Sequence, residues 1–279
     1  FRKSHFIERS IMGALSFFKE SIYAEECASR SGYLQYLDAR IKVLIIFLMV
    51  LCVMLSKDIY AIFSLYLFCL LLSVSSKINI LFFLKRTWVF IPLFSLFIAL
   101  PAIFSIITPG EEIFGFGAAG FRLSITRQGL MSAGIFLIRV LTSVSFVILL
   151  TLTTRNTELL QALRIFKVPQ LFVMTTGMCY RYIYLFVEII ENTYLAIKSR
   201  VGILLPHKKG RYIVAWNIGS LWQRSYYLNH AVYTAMLSRG YTGEPKALHE
   251  FKASVLDWLS LLAVLILITL VLYLGDTGI

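Results

Sequence analysis

The sequence predicts an all-α integral membrane protein with about five transmembrane helices and a cytoplasmic domain of amphipathic helices. Composition is the first reason: 58% of residues are hydrophobic and 15% charged, with a mean hydropathy of +0.78, whereas a soluble domain carries about a quarter charged residues. Second, several apolar runs approach or exceed the ~18 residues that a bilayer crossing requires. Third, the basic residues that give the net charge of +12 cluster in alternate connections between those runs. That alternation is what the positive-inside rule produces, so the charge does not call for nucleic acid.

Residues 1–33 form the first segment. Ile7, Ile11, Leu15, Phe18 and Ile22 recur at helical spacing, with Glu8, Arg9, Lys19 and Glu20 between them. This predicts an amphipathic helix over 6–28, lying on the membrane or on other helices. The basic, charge-mixed start does not resemble a signal peptide.

Residues 34–153 hold four spans. The first, about 41–56, follows LDARIK; SKD at 56–58 turns tightly into the second, about 59–76. NILFFLKRTW, with Lys85 and Arg86, connects to a third span at about 88–107, which contains Pro92 and Pro101. Proline there frees a carbonyl and kinks the helix. TPGEEIFGFGAAGFRLSIT at 108–126 is turn-rich and reads as a short hairpin or loop at the membrane surface. Its glycines lack the Lys-Ser/Thr of a phosphate loop. The fourth span, about 129–153, carries Arg139 near its middle, followed by Thr142, Ser143 and Ser145. A charge at that depth marks either a path for a substrate or packing against polar groups of a neighbouring helix, and the second reading is favoured.

Residues 154–252 change texture. Arg155, Arg164, Lys167, Arg181, Lys198, Arg200, Lys208, Lys209, Arg211, Arg224, Arg239, Lys246 and Lys252 are interleaved with apolar residues, and acidic residues are fewer. This predicts a chain of cytoplasmic amphipathic helices, broken at VPQ (168–170) and LLPHKKG (204–210). A last span at about 254–274 lies in the final segment, 253–279, which ends in an outside tail. With about five spans, every basic connection falls on the cytoplasmic side, the N-terminus included.

Two of the cytoplasmic helices end alike. Tyr180, Ile183, Val187, Ile190, Tyr194 and Ile197 step along one face, and Arg200 continues it; Ile218, Leu221, Ser225, Leu228, Val232 and Ala235 do the same, and Arg239 continues that face. Gly202 and Gly240 then supply terminators. Either arginine alone reads as a C-terminal cap that complements the helix dipole. Two Ser-Arg tips, Ser199-Arg200 and Ser238-Arg239 with Gly240, read better as docking points, since a guanidinium forms a rigid bidentate pair with a carboxylate.

The chain shows no GxxxxGK[ST], no HExxH and no Ser-His-Asp constellation. Its four cysteines and four histidines are dispersed, without metal-ligand spacing. No catalytic residue and no metal site can be assigned, which counts against a membrane enzyme and against a self-sufficient metal permease.

Several stretches resemble one family. LQYLDARIKVL (34–44), ITRQGL (125–130), IRVLTSVS (138–145), LTLTTRNTELLQALRIFKVPQ (150–170), YRYIYLFVEI (180–189), AIKSRVG (196–202) and AMLSRGYTGE (235–244) are similar to the transmembrane T-components of energy-coupling-factor importers. The N-terminal FIERS…LDAR is similar to the cobalt-type, CbiQ-like branch. The resemblance implies a non-catalytic coupling subunit in a prokaryotic cell membrane, whose cytoplasmic helices are coupling helices. Its partners would be two cytoplasmic ABC ATPases, which bind the ATP and Mg, and a CbiM-like membrane substrate-binding subunit, with a small CbiN-like subunit in some assemblies. Arg200 and Arg239 would dock the ATPases, and the chain itself would bind no cofactor. Cobalt is the substrate the branch implies, with nickel next and a vitamin after it. The sequence departs from the family at Ala39, where proline is usual, and at the two signatures, which read Ser-Arg-Val and Ser-Arg-Gly rather than Ala-Arg-Gly.

Overall fold

The computed structural model describes residues 32–56, 58–88, 91–103, 112–118, 121–163, 167–201, 207–243 and 254–276, with Gly13, Glu25 and 27–29. These contain ten helices and one hairpin: α1 (Tyr33–Tyr36), α2 (Ala39–Leu55), α3 (Ile59–Ser75), α4 (Ile80–Trp88), α5 (Ile91–Ile103), β1 (Glu112–Ala118), β2 (Phe121–Thr126), α6 (Arg127–Thr153), α7 (Asn156–Leu163), α8 (Gln170–Val201), α9 (His207–Ser238) and α10 (Val255–Asp276). The amphipathic helix expected over 6–28 lies outside the described residues, apart from a few helical positions.

The chain divides into two compact units. One comprises Ala24–Leu159 and Phe251–Ile279, the other Phe1–Tyr23 and Leu160–Glu250. The first is a helical bundle arranged around α6, which touches α2, α3, α4 and α5. Phe146 and Leu149 of α6, Met49 and Val53 of α2, Ile62 of α3 and Phe83 of α4 are fully buried in one core, closed on another side by Val264 and Val271 of α10. The bundle's outer face is equally apolar: Phe47, Phe63, Leu71, Phe94, Phe97, Ile266 and Leu270 are exposed. A helix that is hydrophobic all round belongs in lipid or in a deep core.

Helix ends in the bundle have local causes. Asp38 accepts a hydrogen bond from the Arg40 amide at the start of α2, a standard N-cap interaction. At the end of α2 the Ser56 hydroxyl donates to the Cys52 carbonyl. Lys77 stops α3 with φ +53, while the Ile78 amide reaches back to the Ser73 carbonyl, the bond of a Schellman motif. Thr126, fully buried, caps α6 by accepting from the Gly129 amide at 3.2 Å. Asp257, 2% exposed, accepts from the Asp38 amide at 3.0 Å and from the Ser254 amide at 2.7 Å, which ties the starts of α2 and α10 together.

Several expectations change. Two helices among the described residues, α6 and α10, are long and apolar enough to cross a membrane, against about five expected. The other apolar helices are shorter: α2 and α3 have 17 residues each and α5 has 13. At 1.5 Å per residue, 17 residues reach about 26 Å, slightly under the ~30 Å hydrocarbon core. Both are bounded by polar residues, Asp38 and Ser56 for α2 and Asp58 and Ser76 for α3. Pro101 lies inside α5, but Pro92 is its second residue, in a first turn where proline breaks no hydrogen bond. Residues 104–107 of the expected third span lie outside the described residues. NILFFLKRTW contains a helix, α4, rather than a plain connection.

The stretch 108–126 contains a hairpin. β1 and β2 pair antiparallel, with Glu112 opposite Thr126 and Phe114 opposite Ile125, so one extra residue bulges β1. Among the described residues the fold is therefore all-α except for this ribbon, which leads straight into α6.

Candidate functional site

α8 and α9 have 32 residues each, about 48 Å at 1.5 Å per residue. α8 starts directly after Pro169, whose carbonyl accepts from the Phe172 and Val173 amides. α9 starts at His207, so His207, Lys208, Lys209 and Gly210 belong to the helix and not, as the sequence suggested, to the break before it.

Both Ser-Arg pairs stand at C-terminal tips. Arg200 is the penultimate residue of α8 and is exposed; Arg239 directly follows α9 and is exposed. The two serines turn inward. Ser199 Oγ donates to the Ala196 carbonyl at 2.9 Å, and Ser238 Oγ to the Thr234 carbonyl at 2.9 Å. Each hydroxyl's one proton is engaged within its own helix, and the guanidinium is the charged donor that each tip offers. Gly202 lies outside the described residues.

The α9 tip is a Schellman motif centred on Gly240, with φ +78. The Gly240 amide donates to the Leu237 carbonyl, and the Tyr241 amide to the Met236 carbonyl. Arg239 is the cap residue, held between these two bonds. A Cβ on Gly240 meets nothing within 4 Å, so only the backbone demands glycine there. Gly240→Ala is expected to loosen the tip by the ~1–2 kcal/mol that left-handed backbone costs a side-chain-bearing residue. Trypsin cleavage after Arg239 should then accelerate without loss of the fold; an unchanged cleavage rate would contradict this.

Tyr241 was not anticipated. Its hydroxyl lies 3.0 Å from the Gly243 carbonyl and 3.0 Å from Met174 Sδ in the second turn of α8. The signal for it was the position just after a terminating glycine, where an apolar contact usually closes the motif. This contact sets the site's dimensions. Tyr241, two residues past Arg239, is tied to Met174, while Arg200 is 200 − 174 = 26 residues further along α8 from Met174, about 39 Å at 1.5 Å per residue. The two arginines do not converge. They are two separate, exposed cationic tips.

The faces beneath the tips compare unequally with the sequence. On α8, Tyr180, Val187, Ile190, Tyr194 and Ile197 are half-buried, although Ile183 is exposed. On α9, Leu221, Leu228 and Val232 are half-buried, but Ile218, Ser225 and Ala235 are exposed, and Asn217, Ser220 and Met236 take their places. Tyr212, Trp216, Trp222, Tyr226 and Tyr233 are also exposed. An apolar residue on every side of α9 left its periodicity without a single answer.

Arg139 of α6 is in the bundle, where its Nη2 donates to the Ser56 carbonyl at 2.8 Å. Thr142 and Ser145, which follow it, donate to the Ile138 and Leu141 carbonyls of their own helix. Among the described residues no three His, Cys, Asp or Glu side chains gather as metal ligands would.

A family model described as CbiQ, cobalt transport protein, matches residues 31–250. An uncharacterized protein of Methanocaldococcus jannaschii is 34% identical over 272 residues, covering 98% of this chain and 92% of its own. A second uncharacterized protein of that organism is 26% identical over 165 residues, covering 58% of this chain and 60% of its own. With its two exposed tips and its apolar bundle, the chain belongs to the CbiQ family, the non-catalytic transmembrane coupling subunits of energy-coupling-factor importers.

Proposed function

We propose that this subunit serves cobalt ion uptake and that Arg200 and Arg239 dock two separate cytoplasmic ATPases. The observation that carries this reading is the pair of exposed guanidiniums on two 32-residue helices, one at the far end of α8 and the other two residues from Tyr241, whose contact at Met174 lies about 39 Å back along α8. One partner pocket cannot take both tips, whereas two ATPase subunits offer two pockets. The ATP and Mg belong to those ATPases. The apolar outer face of the bundle, with α6 and α10 long enough to cross, supports a cell-membrane location, and the basic connections favour a cytoplasmic N-terminus. A membrane subunit of the CbiM-like kind, with or without a small CbiN-like one, carries the metal and is tilted through this scaffold.

Co-expression of the tagged chain with its ATPases and membrane partner tests the reading. The ATPases are expected to co-purify in detergent, and vesicles holding the complex should take up radioactive cobalt only with ATP. A chain that brings down no ATPase refutes the docking role, and vesicles that concentrate nickel but not cobalt refute the substrate.

A further inference from the structure

Two cations of the bundle, the buried Lys42 and the half-buried Arg139, are paired in a way that neither helix reveals alone. Lys42, in the first turn of α2, is 1% exposed, and its Nζ donates to the carbonyl of Thr153, the last residue of α6, at 3.1 Å. Arg139 of α6 donates to the carbonyl of Ser56, the residue that caps the end of α2, at 2.8 Å. Each helix thus places a cation on the terminal carbonyls of the other. Those carbonyls have no partner within their own helix, and the helix dipole favours positive charge there.

The spacing matches. From Lys42 to Ser56 is 56 − 42 = 14 residues, and from Arg139 to Thr153 is 153 − 139 = 14. Two antiparallel helices are therefore bonded at both ends of an equal length, about 21 Å. Between the bonds lie the buried faces: Ile45, Met49 and Cys52 on α2, and Thr142, Phe146 and Leu149 on α6. The bonds carry a cost, because Arg139 Nε is buried with no hydrogen-bond partner among the described residues. Thr142 and Ser145 bond back to their own helix, so neither hydroxyl donates to Arg139's neighbours on α2.

We infer that this reciprocal clamp makes α2 and α6 one stiff member, and that this member carries displacement from the long coupling helices into the bundle. α6 runs through Thr154 and Arg155 directly into α7, whose second half already belongs to the other unit. Motion delivered along the chain arrives at Thr153, where Lys42 holds it to α2. A joint that slipped there would absorb the stroke. Lys42 and Arg139 are positioning residues for coupling, and the inference rests on the coupling-subunit reading above.

The test uses the complete complex in vesicles and reads metal taken up per ATP hydrolysed. Lys42→Met and Arg139→Met keep side-chain bulk and remove the charged donor. Each is expected to leave ATPase co-purification and hydrolysis intact and to lower uptake per ATP by about tenfold, a typical coupling factor. Arg139→Lys, which retains a cation for a single carbonyl, should restore most of the ratio. An unchanged ratio in both methionine variants overturns the clamp's role, as does Arg139→Lys failing as badly as Arg139→Met. Should Lys42→Met not accumulate in the membrane, the Arg139 pair decides alone. Absence of ATPase from the unmutated complex would instead refute the coupling-subunit reading.

Discussion

Reversing both tip charges, Arg200→Glu with Arg239→Glu, is expected to abolish ATP-driven uptake while the chain still inserts. Both residues are exposed, so neither change disturbs the fold beyond its own turn. Truncating one side of a hydrogen-bonded charge pair at an interface costs about 2–5 kcal/mol, and reversal adds repulsion. Because Tyr241 keeps the tips far apart, the two losses fall on independent contacts and should add. Each single reversal should release one ATPase preferentially, and the double reversal both. The measurements are ATPase recovery on the tagged chain and metal uptake by vesicles. If the double reversal retains uptake, the arginines are no more than helix caps, whose loss costs about 1 kcal/mol or less.

Phe146→Ala is expected to cause the largest loss of stability. Phe146 is fully buried on α6, within the core shared by α2, α3 and α4. Removing such a ring costs about 3–5 kcal/mol where the cavity cannot collapse. Lipid tails compete for apolar contacts, so the loss here lies in packing rather than in the hydrophobic effect. The thermal midpoint of the detergent-solubilised protein should fall well below that of Phe63→Ala, a change on the exposed side of α3. Equal midpoints for the two would mean that α6 is not the centre of the bundle.

The helix borders of the bundle were largely legible from the sequence, because they are made locally. Asp38, Ser56, Asp58 and Ser76 bracket α2 and α3 within a residue or two of the apolar runs. Membrane crossing was less legible, since an apolar run shows where lipid is tolerated but not how many of its residues stay helical between capped ends. The partner of Arg139 was not legible at all. Periodicity shows that a residue faces inward, but it does not say which distant carbonyl awaits it, and Ser56 is 83 residues away. The tips were found by their repeated Ser-Arg spelling, yet that spelling carried no distance. The distance comes from Tyr241 and Met174, a contact across 67 residues. On α9, aromatic residues on every side hid the half-buried stripe.

The equal 14-residue intervals of α2 and α6 work as a ruler. One residue inserted into α2 between Lys42 and Ser56 would move everything beyond it by about 1.5 Å and turn it by about 100°. Only one of the two end bonds could then form, unless α6 gained a residue between Arg139 and Thr153 as well. Length changes in these two helices are therefore tolerated only in pairs, and relatives that differ in one should differ equally in the other.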